Sequence, residues 1–129
     1  MEGSAIGGIT LIMKRTFSLK KNQDFKWVYA KGRSHANRIL VLYYLPNGKD
    51  HNYLGISVSK KVGNSVERNR VKRRIRECYR LNEDRIRTGY HMIIIARVRA
   101  KNSDYQSIQS AMIHLLKKSK LWLDEVKVR

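Results

Sequence analysis

Acidic residues are scarce in this sequence: 10 Asp and Glu stand against 28 Lys and Arg in 129 residues, a formal charge of +18. Cysteine occurs once, at Cys78, so no internal disulfide can form and a disulfide-stapled scaffold is excluded. Proline also occurs once, at Pro46, and no low-complexity linker or internal repeat divides the chain. No apolar run approaches the ~18 residues that a membrane-spanning helix needs. Residues 1–12, MEGSAIGGITLI, carry no Lys or Arg and are broken by Gly7 and Gly8, which argues against a secretory signal with its basic start and continuous apolar stretch. They read as a flexible N-terminal extension, with a short strand docked on a neighbour as the alternative. Residues 13–129 read as one folded domain, expected in the cytoplasm.

The shortage of acid bears on catalysis as well. A protein metallonuclease needs converging carboxylates to hold its ions, and here only Glu83-Asp84 and Asp124-Glu125 adjoin; adjacent residues on a strand or helix point apart. The histidines, His35, His51, His91 and His114, neither pair at helical spacing nor sit near Cys78, so no zinc pattern exists. No glycine-rich phosphate loop or nucleophile elbow is present. The chain reads as a binder with no catalytic residues and no metal site of its own.

What is present begins with enough apolar content, 42%, to form an ordinary core. Residues 22–31 predict a short helix, with Asn22 as cap, Gly32 as the stop, and Phe25, Val28 and Tyr29 on one face. Residues 39–45 predict a strand, Pro46-Asn47-Gly48 a turn, and 53–59 the return strand, with Leu54, Ile56 and Val58 on one face and Gly55, Ser57 and Ser59 on the other. A short extra strand is expected near 33–38. A helix should open at Asn64 or Ser65 and run to about Leu81. Residues 90–97 include Met92-Ile93-Ile94-Ile95, apolar on both faces, as in a central strand covered on both sides. Ile108, Ala111, Met112, Leu115 and Leu116 form the stripe of a last helix, near 103–119. The expected order is α-β-β-β-α-β-α, a single-domain α+β sandwich of one sheet with helices packed on it.

The positive charge is concentrated. Residues 60–80 carry nine basic and two acidic side chains, net +7 over 21 positions, about three times the density of the other 108 residues. On a helical wheel Val71, Ile75 and Cys78 share a narrow inward sector, Asn69, Lys72, Arg73, Arg76 and Arg80 lie opposite, and Arg68, Arg70 and Arg74 flank the apolar stripe. Like charges at this density destabilise a helix unless a counter-charge arrives from outside. Arginine outnumbers lysine six to one between Arg68 and Arg80, and its planar fork grips phosphate in a bidentate manner. The partner expected from charge is a nucleic acid, ahead of an anionic membrane surface.

The string Gly63-Asn64-Ser65-Val66-Glu67-Arg68-Asn69-Arg70-Val71-Lys72-Arg73 closely resembles the signature of the bacterial ribonuclease P protein component, with Arg68-Asn69-Arg70 as its core. The preceding Ser57-Val58-Ser59-Lys60-Lys61-Val62, the N-terminal Asn22-Gln23-Asp24-Phe25 with Gly32 and Asn37-Arg38, and the late Ile93-Ile94-Ile95-Ala96-Arg97 resemble that family in the same order, over roughly residues 14–122. Residues 1–12 precede the usual family start. The resemblance implies a subunit that binds ribonuclease P RNA and precursor tRNA, while the RNA and its magnesium ions remove the 5′ leader; the protein alone would be inactive and monomeric, with no membrane partner. It implies a left-handed βαβ crossover, where general rules favour the right hand. It also implies RNA contacts from Lys60, Lys61, Asn64, Arg68, Asn69, Arg70, Lys72, Arg73 and Arg76, and a leader-binding cleft containing Phe25, Tyr29, Tyr43 and Trp122. Aromatic faces stack unpaired bases with little regard for sequence, which suits a leader of variable sequence, although Phe25 could equally be a core residue. A purely structural RNA-binding protein and a stand-alone nuclease are the competing readings. The aromatic set disfavours the first and the scattered acids the second.

Overall fold

The computed structural model describes residues 5–6, 9–10 and 14–124. The extension expected over 1–12 lies mostly outside the described residues, which there comprise only the antiparallel pair β1 (Ala5–Ile6) and β2 (Ile9–Thr10).

The domain is organised by a five-stranded mixed sheet of β3 (Thr16–Ser18), β4 (Arg33–Ala36), β5 (Leu40–Pro46), β6 (Asn52–Val58) and β7 (Tyr90–Ala96), in spatial order β3-β6-β7-β5-β4. The first three in that order run parallel; β5 is antiparallel to β7, and β4 to β5. The helices are α1 (Asn22–Lys31), α2 (Ser65–Asn82) and α3 (Tyr105–Lys118). This is the α+β sandwich that the hydrophobic patterning predicts, with β6, α2 and β7 forming the βαβ unit.

Strand alternation gives each face its own core. Leu40, Leu42, Leu54, Met92, Ile94 and Ala96 meet α2 and α3 in the main core. Ile93 on the other face meets Val28 of α1 and Leu19, with Phe25, Tyr43, Tyr53 and Ile95 packed around them. The central strand β7 is apolar on both faces because helices cover both.

Three local expectations are corrected. The helix α1 starts with Asn22 already helical: Lys21 is its N-cap and makes no side-chain capping bond, since a lysine ammonium offers no acceptor to a backbone amide; the Lys21 carbonyl accepts from the Asp24 and Phe25 amides. Gly32 does not end α1 through a left-handed conformation, since its φ is −78°. It is needed for close approach: a Cβ there would lie 2.5 Å from the Val28 carbonyl oxygen and 2.9 Å from that of Tyr44. The third concerns β3, a parallel edge strand with no counterpart in the sequence-based order.

Three residues are too few for strand periodicity, and β3 is held by tertiary bonds instead. The buried Glu83 carboxylate accepts from the Lys14 amide at 3.0 Å, the Arg15 amide at 2.9 Å and the Thr16 hydroxyl at 2.7 Å. Thr16 Oγ1 also bonds the buried Tyr79 hydroxyl at 3.1 Å, and Asn52 Nδ2 donates to that hydroxyl and to the Arg87 carbonyl. Burial pushes the Tyr79 phenol well above its ordinary pKa. The network ties the start of the domain to the end of α2. Glu83→Ala would strand these donors, at about 1–3 kcal/mol for a buried group left unsatisfied. The expected result is a destabilisation of about 2–3 kcal/mol in urea unfolding; a midpoint equal to wild type would show that the network does not hold β3.

Candidate nucleic-acid interface

The basic helix α2 is built to hold its charges outward. Asn64 caps it: the Asn64 side chain accepts from the Glu67 amide at 2.9 Å, and the Glu67 carboxylate accepts from the Asn64 amide at 2.9 Å, a closed capping box. That bond from the Asn64 amide, the Lys101 ammonium 3.2 Å away and nearby Arg70 hold the Glu67 carboxyl below its ordinary pKa. A depressed carboxyl contributes at neutral pH and loses that contribution as acidification passes its lowered pKa, so the box is intact where RNA binding would occur. Val71, Ile75, Cys78 and Tyr79 are buried, and burial pushes the Cys78 thiol up to about 12, which leaves it inert at neutral pH.

Tyr79 changes the wheel. Its burial rotates the inward sector toward Arg68 and Lys72, which are half-buried, and away from Arg70, which is exposed rather than flanking. Arg68 and Arg74 lie along the body as expected, and each donates from Nη1 to a carbonyl: Arg68 to Gly63 at 2.9 Å, Arg74 to Ser103 at 2.8 Å. Lys60, Lys61, Asn64, Asn69, Arg70, Arg73 and Arg76 are exposed. Among the described residues, none of the nine candidate RNA-contact side chains is recorded in an ion pair; on α2 the carboxylates pair with Arg80, from Glu77 at 2.6 Å, and with Lys101, from Glu67. The structure therefore brings the nine together on one helix and the loop before it, with Asn64 Oδ1 committed to the cap.

The aromatic candidates divide. Phe25 and Tyr29 lie on one flank of α1 with ring centroids 6.4 Å apart, and Tyr29 meets Tyr43 of β5 edge-on at 5.0 Å. Tyr29 is 40% exposed, so its ring is available to a ligand. Partial burial and the neighbouring Tyr43 raise the Tyr29 phenol above its ordinary pKa, opposed by its bond with Ser57. The floor beneath is Gly55 and Ser57 of β6, the small face foreseen from alternation. Phe25 settles as half-buried, seated on the smaller core. Trp122 does not join the other three. After α3 the chain turns at Lys120, with φ of 62°, and returns to pair Trp122 with Ile86. Its ring packs on the main core with Arg85 5.7 Å above it, on the side of the sheet away from Phe25, Tyr29 and Tyr43. Ser57, bonded to Tyr29, also belongs to the cleft; its signal in the sequence is the small polar phase of residues 53–59.

Among the described residues, no three His, Cys, Asp or Glu side chains lie together where they could hold a metal ion, and no helix is long and apolar enough to cross a membrane.

Comparison with known proteins adds to this geometry. The profile of the family described as Ribonuclease P matches residues 13–120. A ribonuclease P protein component from Alkaliphilus metalliredigens is 52% identical over 109 residues, 84% of this chain and 98% of the relative. The solved RNase P protein of Staphylococcus aureus aligns with a TM-score of 0.76 at 45% identity, covering 81% of this chain and 96% of its own. That of Thermotoga maritima aligns with 0.73 at 30% identity, covering 78% and 96%. A further structure of the Staphylococcus aureus protein is described as a mutant with defective mRNA degradation activity.

The seat of Phe25 is testable. A Cβ on Gly55 would lie 2.6 Å from Phe25 Cζ, so Gly55→Ala must displace that ring, at ~1–3 kcal/mol for an overpacked contact. Urea unfolding of Gly55→Ala should show a loss of that size, and Phe25→Ala in the same chain should remove most of it. Additive losses from the two substitutions would mean that the ring does not lie on Gly55.

Proposed function

The chain belongs to the ribonuclease P protein family, and on that premise we propose that it acts as the protein subunit of ribonuclease P, binding the enzyme's RNA and assisting removal of the 5′ leader from precursor tRNA. The observation that carries this reading is a division of labour across one sheet. The exposed arginines Arg70, Arg73 and Arg76 lie on α2, packed on one face, while the aromatic cleft lies beside α1 on the other. Two RNA segments of different character can thus be held at once, one by its phosphates and one by its bases.

The exposed arginines of α2 take phosphates of the folded RNA. Their guanidinium groups are prepositioned by a capped helix and by a buried stripe that fixes its rotation. Phe25, Tyr29 and Tyr43, with Ser57 beside them, take unpaired bases of the leader. Stacking contributes ~1–3 kcal/mol per base, and the surrounding positive charge lowers the repulsion between leader phosphates and those of the RNA subunit. Hydrolysis belongs to the RNA and its magnesium ions in this reading; among the described residues no three His, Cys, Asp or Glu side chains gather where they could hold an ion, and no step of the protein's part runs through a metal.

Cleavage of precursor tRNA tests this directly. The protein with its cognate RNA should process substrate at low magnesium, where the RNA alone is slow. The protein alone should leave both precursor tRNA and an mRNA uncut, the second arm answering the mRNA degradation activity named for the Staphylococcus aureus relative. Cleavage by the protein alone would give the chain chemistry of its own and end the binder reading. In the holoenzyme, Tyr43→Ala should weaken binding of a long-leader substrate by roughly tenfold, a value within the range for one stacked base. Binding of mature tRNA should be unchanged, and equal losses for the two ligands would remove Tyr43 from the leader site.

A further inference from the structure

The other flank of α1 carries a second set of rings that the leader cleft does not use. On the helix, Val28 points at the sheet, Phe25 and Tyr29 project to one side, and Asp24 and Trp27 to the opposite side. Beneath that opposite side, Phe17 of β3, Tyr53 of β6 and His91 of β7 stand in register on neighbouring parallel strands, so their side chains leave the same face of the sheet. They form a continuous row, with centroids 5.7 Å apart from Phe17 to Tyr53 and 4.8 Å from Tyr53 to His91. His51, from the end of the β5–β6 turn, closes over the row at 5.0 Å from Phe17 and 5.3 Å from Tyr53. Trp27 meets His91 edge-on at 5.3 Å and bounds the row at the helix.

This row lines a cavity of about 550 Å³. The buried residues of this layer, Leu19, Val28, Ile93 and His91, are 5%, 0%, 0% and 7% exposed; Phe17, His51 and Tyr53 are only half-buried, so these three rings face an open pocket and not a closed core. Lys20, Lys21 and Lys49 also line it, against Asp24 as the single acid. Lys21 and Lys49 are exposed and form no ion pair among the described residues.

A ligand that suits this pocket has a flat π-face and a negative charge a few ångströms from it. A volume of this size falls in the range that encloses a small molecule or one residue of a chain; a duplex does not enter it. We propose that this pocket binds one unpaired RNA nucleotide, its base against the Phe17, Tyr53 and His51 rings and its phosphate at Lys21 and Lys49. The proposal shares with the proposed function only the premise that this chain binds RNA, and it concerns the flank of α1 that faces away from Tyr29 and Tyr43.

The test is an amide NMR titration of the full chain with a single-stranded RNA hexamer of mixed sequence, with adenosine monophosphate and inorganic phosphate as separate probes. The hexamer should shift the amides of Phe17, Tyr53 and His91. Tyr53→Leu, which keeps an apolar side chain on β6, should weaken that response by roughly tenfold, as expected for one lost stacked base. Lys21→Ala with Lys49→Ala, both at exposed positions, should also weaken it and reduce its dependence on salt. Tyr43→Ala should leave it intact, which separates this site from the leader cleft. The proposal is overturned if the hexamer shifts only the Tyr29 and Tyr43 flank, or if the lysine variant binds as wild type does. It is equally overturned if adenosine monophosphate binds more tightly than the hexamer, which would assign the pocket to a free nucleotide, or if inorganic phosphate alone reproduces the shifts. A response lost on this flank with holoenzyme processing retained counts against the pocket alone; loss of processing with this response retained counts against the subunit role alone.

Discussion

Positive charge crowded onto one helix, seven cations against the two carboxylates of Glu67 and Glu77, is the constraint from which the rest of the interface follows. Neighbouring cations along α2 repel each other at every turn, and the fold has to hold the helix together regardless. It does so from three sides: the Asn64–Glu67 box closes the first turn, Val71, Ile75, Cys78 and Tyr79 anchor the inner stripe, and Arg68 and Arg74 spend donors on backbone carbonyls. What these devices leave outward, Arg70, Arg73 and Arg76 with Lys60 and Lys61 before them, is charge that only an external polyanion neutralises. An ordinary solvated surface mixes its signs in comparable numbers; here seven cations outnumber two acids.

The sheet turns that single charged helix into one half of a two-sided binder. Because β7 is covered on both faces, α1 and α2 pack on opposite sides of the sheet, with a layer of core between the cleft rings and the helix that carries the arginines. Small residues complete the arrangement: Gly55 admits the Phe25 ring, and Gly32 lets the chain pass between the Val28 carbonyl of α1 and the Tyr44 carbonyl of β5. A chain of this length holds both an arginine-rich helix and an aromatic cleft because each occupies its own side of one sheet.

Much of this was legible in the sequence, for reasons that can be named. Alternation at 53–59 and the two-faced run at 92–95 set the strands and their coverage, since both patterns report burial directly. The order of the arginines against Val71, Ile75 and Cys78 reported the helix face. The misses share another cause, side chains whose position is decided by distant partners. Strand β3 exists because Glu83, 67 residues from Thr16, collects its donors. Arg70 and Lys72 exchanged their degrees of exposure because Tyr79 is buried by a network that includes Asn52 and Thr16. Trp122 left the cleft because a positive φ at Lys120 redirects the tail. The row of Phe17, Tyr53 and His91 is spread over three strands, one of them unforeseen, so no local pattern announces it.

The most direct measurement is the salt dependence of binding to ribonuclease P RNA, for the wild-type chain and for Arg70→Ala with Arg73→Ala, whose side chains are exposed and make no hydrogen bond or ion pair among the described residues. If ~5–7 phosphates are gripped, the logarithm of the affinity should fall with the logarithm of salt with a slope of roughly −4 to −6. The double variant should lose about two from that slope while its circular dichroism and unfolding midpoint stay at wild-type values. An unchanged slope in a folded variant would mean that the outward arginines of α2 do not hold the RNA.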